Sequence, residues 1–410
     1  MRIALLSYRS KPHCGGQGVY VRHLSREFVA LGHHVEVFSG QPYPDLDPGV
    51  SLRPLPSLDL YRDDDPFRTP RLREFRDPVD VLEVATMWTG GFPEPLTFSA
   101  RAARALSARR DDFDVVHDNQ SLGYGLLGLP RLDLPLVATV HHPITVDRRH
   151  ELDAAASLRR RTSLRRWYGF TRMQARVARR IPRIITVSES SANDIVSDFG
   201  VRRAAVRVIP VGVDAELFQP PTLPRVPNRI VAVSSSDSPM KGVRVLLEAV
   251  AKLRTERDVE LVVVGRPKPD GPVARAVDDL GIADAVRFVT GLPDPALADL
   301  FGSAAAAVVP SLYEGFSIPA VEAMACGTPL VASRAGALPE VVGDCGVLVE
   351  PGNPSDLAAA LGSLLDDPAR RDVLGAAGRR RVLERFTWRS TASATAEVYA
   401  EAVAAREGAC

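Results

Sequence analysis

The stretch SLYEGFSIPAVEAM contains the two residues whose type and spacing most clearly suggest chemistry, Glu314 and Glu322. A glycine and a proline lie between them, and the apolar run AAVVP ends just before, at Pro310. Proline is favoured in the first turn of a helix, so we predict that a helix begins near Ile318. The first N–H groups of a helix lack intrahelical partners, and this positive end is a seat for a phosphate. The predicted donors are the backbone N–H groups of Gly315, Phe316, Ser317 and Ile318.

The two carboxylates would then lie on either side of the bound phosphate. Glu314 precedes the helix and can accept hydrogen bonds from sugar hydroxyls. Glu322 lies about one turn inside the helix, where a carboxylate can hold two vicinal hydroxyls of a ribose. The alternative interpretation is that both acids only compensate the dipole of the helix.

Two cations follow other apolar runs and are candidate phosphate ligands. Lys241, in SDSPMKG, comes after the run RIVAVS and stands beside a glycine. Arg266 comes directly after LVVVG. A lysine or arginine at such a place can form charge-assisted hydrogen bonds with a diphosphate. For Arg266, a role on the surface is the alternative.

A glycine-rich stretch, HCGGQG, lies between the first apolar run and the first predicted helix. Gly15 and Gly16 would allow the backbone to approach a phosphate closely. A dinucleotide fingerprint would need a further glycine at Val21 and an acid after the second strand, where VEVFSGQP has none. The pattern therefore does not favour a nicotinamide-dependent dehydrogenase.

Three more candidates end predicted strands in the first half of the chain. His141, in ATVHHP, can form hydrogen bonds with a bound sugar, although a purely structural histidine is the alternative. Asp118, in VVHDNQ, and Ser188, in TVSES, are candidates for the acceptor side. No Asp-x-Asp pair occurs in a predicted strand-end loop, so we expect neither a metal nor another cofactor.

Short apolar runs alternate with amphipathic helical patterns along both halves of the chain, as in doubly wound α/β domains with parallel sheets. The runs are apolar on both faces, which indicates buried strands. Four prolines in QPPTLPRVPN indicate a linker. We predict a domain at 1–218 with an irregular insertion at 42–100, a linker at 219–228, a second domain at 229–385 and a helical segment at 386–410 that packs on the first domain. The two domains would face a central cleft.

These motifs together resemble the retaining glycosyltransferases of family 4, group 1, which have the GT-B architecture. The resemblance implies transfer of a hexosyl group from a nucleotide-diphosphate sugar to an acceptor hydroxyl, on a lipid or cell-envelope glycoconjugate. It implies that Glu314 contacts the donor sugar, Glu322 the ribose and Lys241 the phosphates, and that His141 lies beside the reacting carbon. The family also carries an arginine six residues before the lysine, where this chain has Ser234-Ser235. A nucleotide-sugar epimerase, a soluble small-molecule acceptor and a silent binding protein are the alternatives.

Residues 148–183 contain twelve arginines against two acids, with Trp167, Tyr168 and Phe170 among them. This excess of positive charge favours contact with an anionic membrane or a lipid-linked acceptor. A solvated basic face is the alternative, and nucleic acid is not expected because no recognition motif accompanies the arginines.

Composition sets the outer limits of these predictions. The length of 410 residues suits two domains, and the net charge of +1 points to no class of partner. Four cysteines without a C-x-x-C pair indicate a reducing compartment. No stretch is long and apolar enough for a signal peptide or a membrane span. We therefore predict a cytoplasmic enzyme with a candidate peripheral contact at the membrane.

Overall fold

The computed structural model describes residues 1–11, 16–234 and 238–408. The chain forms two compact units, of which the second is the continuous segment Pro210–Ser390. The first unit consists of Met1–Ile209 together with the residues from Thr391 onward.

The second unit begins earlier than the predicted linker at 219–228. Val226 already starts a strand, and Pro220 and Pro221 lie against Gly327 and Gly302 of the second unit. The prolines therefore pack against a folded unit, which their composition alone does not reveal.

The first unit is a parallel sheet covered by helices. Among its described residues, seven strands pair in the order β3-β2-β1-β4-β5-β6-β7. The strands β1 to β7 are Arg2–Ser7, His34–Ser39, Ser51–Pro54, Val115–Asn119, Leu136–Thr139, Arg183–Thr186 and Val206–Val208. The helices α1 to α7 are Gly16–Ala30, Pro78–Trp88, Glu94–Ser107, Thr145–Asp153, Leu158–Trp167, Thr171–Ala178 and Glu189–Phe199.

The predicted irregular insertion at 42–100 is partly wrong. It contributes β3 to the edge of the sheet, and Phe98 of α3 is buried in the main core of the first unit. The rest forms a small core of its own around Leu60 and Met87, against which Trp167 packs. The strand SLRP is only four residues long and exposed throughout, which explains why hydrophobic periodicity does not detect it.

The second unit repeats the same architecture. Among its described residues, six parallel strands pair in the order β10-β9-β8-β11-β12-β13. The strands β8 to β13 are Val226–Val233, Glu260–Val264, Val286–Val289, Ala304–Val309, Leu330–Ser333 and Val347–Val349. The helices α8 to α14 are Val243–Leu253, Pro272–Asp279, Asp294–Ser303, Ile318–Ala325, Leu338–Val342, Pro354–Asp366 and Pro368–Arg385. The predicted α/β class with two doubly wound sheets is confirmed.

The last helix, α15, spans Trp388–Glu407. Its residues from Thr391 onward belong to the first unit, where Tyr399 is fully buried and its ring lies 5.3 Å from that of Phe28. Within the described residues, no helix has the length and apolar character that crossing a membrane requires.

Strand order locates the ligand site in each sheet. In open parallel sheets, ligands bind at the carboxyl ends of the strands, where the strand order reverses direction. These points lie between β1 and β4 in the first unit and between β8 and β11 in the second.

Candidate functional site

Lys241 and Glu314, predicted from separate stretches, meet at the β8–β11 edge of the second unit. The Lys241 Nζ atom lies 2.7 Å from Glu314 Oε1, and the Ser311 hydroxyl donates to the same oxygen at 2.8 Å. The two loops are also joined by their backbones, since the Leu312 N–H donates to the Met240 carbonyl at 2.7 Å. An ammonium and a carboxylate are thereby held side by side at the predicted donor site.

Two glycines fix the backbone around this ion pair. Gly242 has φ +64°, and a Cβ atom there would lie 2.0 Å from the carbonyl oxygen of Pro310. Gly336 has φ +53°, and a Cβ atom there would lie 2.2 Å from the carbonyl oxygen of Glu314. The Ala337 N–H donates to that same carbonyl at 2.9 Å. The position of Glu314 therefore depends on a close backbone approach that only glycine permits.

Helix α11 begins at Ile318, the predicted position, with Pro319 in its first turn. The preceding residue, Ser317, has φ +88°, which is unusual for a residue other than glycine. Phe316 is buried, with its ring 5.8 Å from that of Phe386, so only its backbone can serve a ligand. The start of α11 thus has the backbone arrangement expected for anion binding.

Glu322 lies one turn inside α11 and is only partly exposed. Its carboxylate makes no hydrogen bond or ion pair with any described residue. Burial, reinforced by the negative charge of Asp294, raises the pKa of Glu322 to about 8. A partly buried carboxyl group without a partner is suited to accept hydrogen bonds from a ligand.

The other donor-site predictions have different outcomes. Arg266 is exposed two residues after β9 and forms no ion pair within the described residues. Gly16 is the first residue of α1 and is exposed. Gly15 lies outside the described residues, as does Ser235.

In the first unit, His141 follows β5 and is held by Asn119, the last residue of β4, and by Gln120, which comes next. The His141 Nε2 atom lies 2.9 Å from Asn119 Oδ1, and the His141 backbone N–H donates to Gln120 Oε1 at 2.8 Å. Burial, and to a lesser extent the charge of His142, lowers the pKa of His141 to about 3. The ring is therefore neutral at physiological pH, and Nε2 carries the proton that it donates to Asn119.

Asn119 and Gln120 are functional candidates that the sequence analysis missed. Both follow Asp118 in VVHDNQ, and both are buried. The Gln120 amide also donates to the His142 carbonyl at 2.9 Å, so it fixes both histidines. The signal was present as two amides after a strand, but the charge of Asp118 made that residue appear the stronger candidate.

Asp118 and Ser188 have structural roles. The Asp118 carboxylate accepts hydrogen bonds from the Ser121 hydroxyl and the Leu122 N–H, and burial raises its pKa to about 6. Ser188 is the N-cap of α7 and accepts a hydrogen bond from the Ser191 N–H at 3.0 Å. Both side chains are buried, and each stabilises its own loop.

A buried hydrogen-bonded chain supports His141 from behind. The His141 ring meets the edge of the Tyr20 ring at 4.7 Å, and the Tyr20 hydroxyl lies 3.3 Å from Thr139 Oγ1. Thr139 Oγ1 lies 2.7 Å from His117 Nε2, and His117 Nδ1 pairs with the Tyr399 hydroxyl. The C-terminal helix α15 is therefore linked to the surroundings of His141 within the first unit.

Side chains of the segment 42–100 contact the residues that follow β1. Arg9 Nη1 lies 2.9 Å from Glu94 Oε1, and Lys11 Nζ lies 2.7 Å from Asp63 Oδ1. Both cations that follow β1 are thus paired with carboxylates of this segment. Burial raises the pKa of Glu94 to about 7 in spite of its arginine partner.

Most arginines of the basic segment 148–183 are exposed, whereas the segment's own aromatic side chains are not. Ten of the twelve predicted arginines are exposed: Arg149, Arg159, Arg160, Arg161, Arg165, Arg166, Arg172, Arg176, Arg179 and Arg180. Trp167, Tyr168 and Phe170 instead pack inward. The aromatic residues that lie among the arginines in sequence therefore do not share their surface.

Comparison with known proteins gives consistent matches along the chain. The family profile "Glycosyltransferase Family 4" matches residues 14–217, and "Glycosyl transferases group 1" matches residues 214–381. The chain is 60% identical to an MMP alpha-(1->4)-mannosyltransferase of Mycolicibacterium hassiacum, with 100% of both chains covered. It is 32% identical to D-inositol 3-phosphate glycosyltransferase 2 of Catenulispora acidiphila, covering 98% of this chain and 95% of that protein. A solved structure of sucrose-phosphate synthase from Thermosynechococcus elongatus superposes with a TM-score of 0.76 at 25% identity, covering 99% of this chain and 100% of that one.

Proposed function

Because the chain belongs to family 4 of the glycosyltransferases and has their GT-B fold, we propose that it transfers a mannosyl group from a nucleotide-diphosphate mannose to a saccharide hydroxyl. The choice of sugar and acceptor is supported by the 60% identity with an enzyme named as an alpha-(1->4)-mannosyltransferase. An α-linked product made from an α-linked donor corresponds to retention of the anomeric configuration. The relatives favour this transfer reaction over the nucleotide-sugar epimerase.

The donor side of the proposal rests on the Lys241–Glu314 pair beside the N-terminus of α11. The diphosphate would accept hydrogen bonds from the first N–H groups of α11 and from Lys241. Glu314 would accept hydrogen bonds from the sugar, and Glu322 from the ribose. In the first unit, His141 is the candidate contact to the transferred sugar.

The leaving diphosphate would be stabilised by fixed donors, without a metal ion. Lys241 and the N–H groups at the start of α11 would stabilise the negative charge that develops on the leaving diphosphate. The departing phosphate oxygen would help to remove the proton from the acceptor hydroxyl. Within the described residues, no three His, Cys, Asp or Glu side chains form a group that could hold a metal ion.

Product analysis tests this proposal. The protein is incubated with GDP-, UDP- and ADP-sugars, each with and without oligomannoside acceptors, in buffer containing EDTA. We expect release of nucleoside diphosphate and an α-linked product in NMR spectra, dependent on a mannosyl donor. Turnover of the donor to an epimer without acceptor, or a β-linked product, would contradict the proposal.

We also propose that the acceptor lies at an anionic membrane, because one surface of the first unit has the features of a membrane contact. Trp88, at the end of α2, and Leu158, at the start of α5, are 69% and 77% exposed. With Arg159 and Arg166 they line an open depression of about 570 Å³. An exposed tryptophan and leucine beside arginines that have no ion pair within the described residues is the pattern of an interfacial membrane contact.

Vesicle binding tests this surface. Trp88 should show a blue-shifted emission with anionic vesicles and none with neutral ones, measured after replacing the more buried Trp167 and Trp388 by phenylalanine. Replacing Arg159 and Arg166 together by alanine should weaken binding about 30-fold, because each charge contributes about 1 kcal/mol. Leu158→Ala should weaken it, whereas Leu223→Ala, an equally exposed leucine of the second unit, should not. Equal partition into both vesicle types would favour the soluble acceptor.

A further inference from the structure

Two serine hydroxyls at the carboxyl edge of the second sheet lack partners. Ser234 directly follows β8, and its N–H donates to the Val264 carbonyl at 3.0 Å. Ser317 directly precedes α11. The two residues are 7% and 6% exposed, and neither Oγ atom has a hydrogen-bond partner among the described residues.

Burying these two hydroxyls without partners lowers the stability of the fold, and a purely structural role would not offset this loss. A buried hydroxyl without a partner loses its hydrogen bonds to water and gains none in return. Ser317 adds backbone strain, because its φ of +88° is unfavourable for any residue with a Cβ atom. Such costs are concentrated at positions where a ligand supplies the missing interaction.

The charges at this edge leave a deficit at a bound diphosphate. Lys241 shares its ammonium group with Glu314 at 2.7 Å. In sequence, a serine pair, Ser234-Ser235, follows β8 where an arginine would add a second positive charge. Lys241 is therefore the single cation of the β8 loop within the described residues, and neutral donors of this loop must supply the rest of its binding.

We propose that the hydroxyl groups of Ser234 and Ser317 donate hydrogen bonds to the diphosphate of the nucleotide sugar and take the place of that arginine. A rotation about χ1 moves a serine Oγ between staggered positions, so each hydroxyl can turn from its buried position to the ligand. Ser317 acts together with the N–H groups of α11, and Ser234 acts from the end of β8. The inference rests on the proposed function, because it assigns further ligands to the same donor.

The test compares a nucleoside diphosphate with its nucleoside. The probe is whichever of GDP, UDP and ADP binds the wild-type protein most tightly, together with guanosine, uridine or adenosine. Ser234→Ala and Ser317→Gly should each weaken the diphosphate about 3- to 10-fold, and the double variant about 10- to 100-fold. The affinity for the nucleoside should stay within about twofold of wild type. Ser363→Ala, an exposed serine of α13, is the control and should change neither affinity.

Two further measurements separate this role from a structural one. Ser317→Gly relieves the positive φ, so the thermal midpoint should not fall although the diphosphate affinity does. Adding Ser235→Arg to the double variant should restore much of the diphosphate affinity and increase its dependence on salt.

The outcomes distinguish this inference from the proposed function. Diphosphate affinities of the single and double variants within twofold of wild type would overturn the inference and leave the proposed function standing. Parallel loss of nucleoside binding would also overturn it, because the site would then have been disturbed as a whole. A wild-type protein that binds none of the three diphosphates would overturn both.

Discussion

Glu322 combines partial burial, a raised pKa and the lack of a partner within the described residues. Its folded-state pKa of about 8 lies above the ordinary value of 4.5. Between these values the folded protein holds a proton that the unfolded chain has released, so this group makes stability fall as pH rises through that window. A ligand hydroxyl that donates to the carboxylate favours its charged form and lowers the pKa. If the ribose binds Glu322 as proposed, nucleotide binding and proton release are coupled at this residue.

We predict that nucleoside diphosphate binding at pH 7 releases close to one proton from Glu322. A group with a pKa of about 8 is about 90% protonated at pH 7 and becomes ionised when the ribose binds. Calorimetry in buffers of different ionisation enthalpy measures the number of protons released. Glu322→Gln should lower this number by about one, and an unchanged number would place the ribose elsewhere.

His141 and His142 are adjacent in sequence but differ in environment. His141 is held by Asn119 and Gln120 and is neutral, whereas His142 is partly exposed and pairs with Asp147 at 3.0 Å. A neutral imidazole acts through fixed hydrogen bonds and shape, and it does not titrate in the physiological range. This difference favours His141 as the residue that acts on the sugar.

We predict that His141→Ala lowers kcat/KM about 100-fold, the scale observed for losing one positioned hydrogen-bonding group. His142→Ala should stay within about threefold of wild type in the same steady-state assay. Asn119→Ala should lower kcat about 5- to 10-fold, because one neutral hydrogen bond that orients the ring is lost. A larger loss for His142 than for His141 would reverse the assignment.

At the scale of elements, apolar runs and proline positions predicted most strands and the start of α11, because buried strands and helix ends depend on local sequence. The sequence predicts that Lys241 and Glu314 lie near the same ligand, but it does not predict their ion pair. The ion pair depends on the strand order, which places the loops after β8 and β11 side by side. The strand Ser51–Pro54 and the inward packing of Trp167 were missed. Both features depend on contacts between different segments of the chain, and the hydrophobic periodicity of a single segment does not reveal such contacts.

The loop that carries Glu314 depends on Gly336. We predict that Gly336→Ala reduces the free energy of unfolding about 1–3 kcal/mol more than Gly281→Ala does, measured by denaturant titration. Both glycines have positive φ, so both substitutions incur about 1–2 kcal/mol of backbone strain. Only at Gly336 would the new Cβ atom lie against a backbone oxygen, whereas nothing lies within 4 Å of it at Gly281. Equal losses would show that the close approach to Glu314 is not rigid.

At the scale of the whole molecule, the first unit is assembled from two distant parts of the chain. Tyr399 of α15 is fully buried there and pairs with His117. Tyr399→Ala should cost about 3–5 kcal/mol in unfolding free energy, as for other large core residues. Tyr399→Phe should cost about 1–3 kcal/mol, because His117 Nδ1 loses its donor. Tyr124→Phe, at a largely exposed tyrosine, should cost less than either and serves as the control.

A fragment experiment follows from the same division. Residues 210–390 should fold alone, because the second unit is continuous in sequence. Residues 1–209 should lack a cooperative thermal transition until a peptide spanning 391–408 is added. A cooperative transition of 1–209 alone would contradict the essential role of the last helix.

Because Tyr399 is buried beside Phe28, we expect the first unit to complete its folding after the second unit, although most of the first unit is synthesised earlier. We expect residues 1–209 to lack the packing of α15 while the 181 residues of the second unit are synthesised and fold. Phe28 of α1 and His117 of β4 obtain their contact with Tyr399 only when translation reaches α15. An mRNA truncated before α15 would thus yield a folded second unit joined to an incomplete first unit, which is expected to be a substrate for proteolysis.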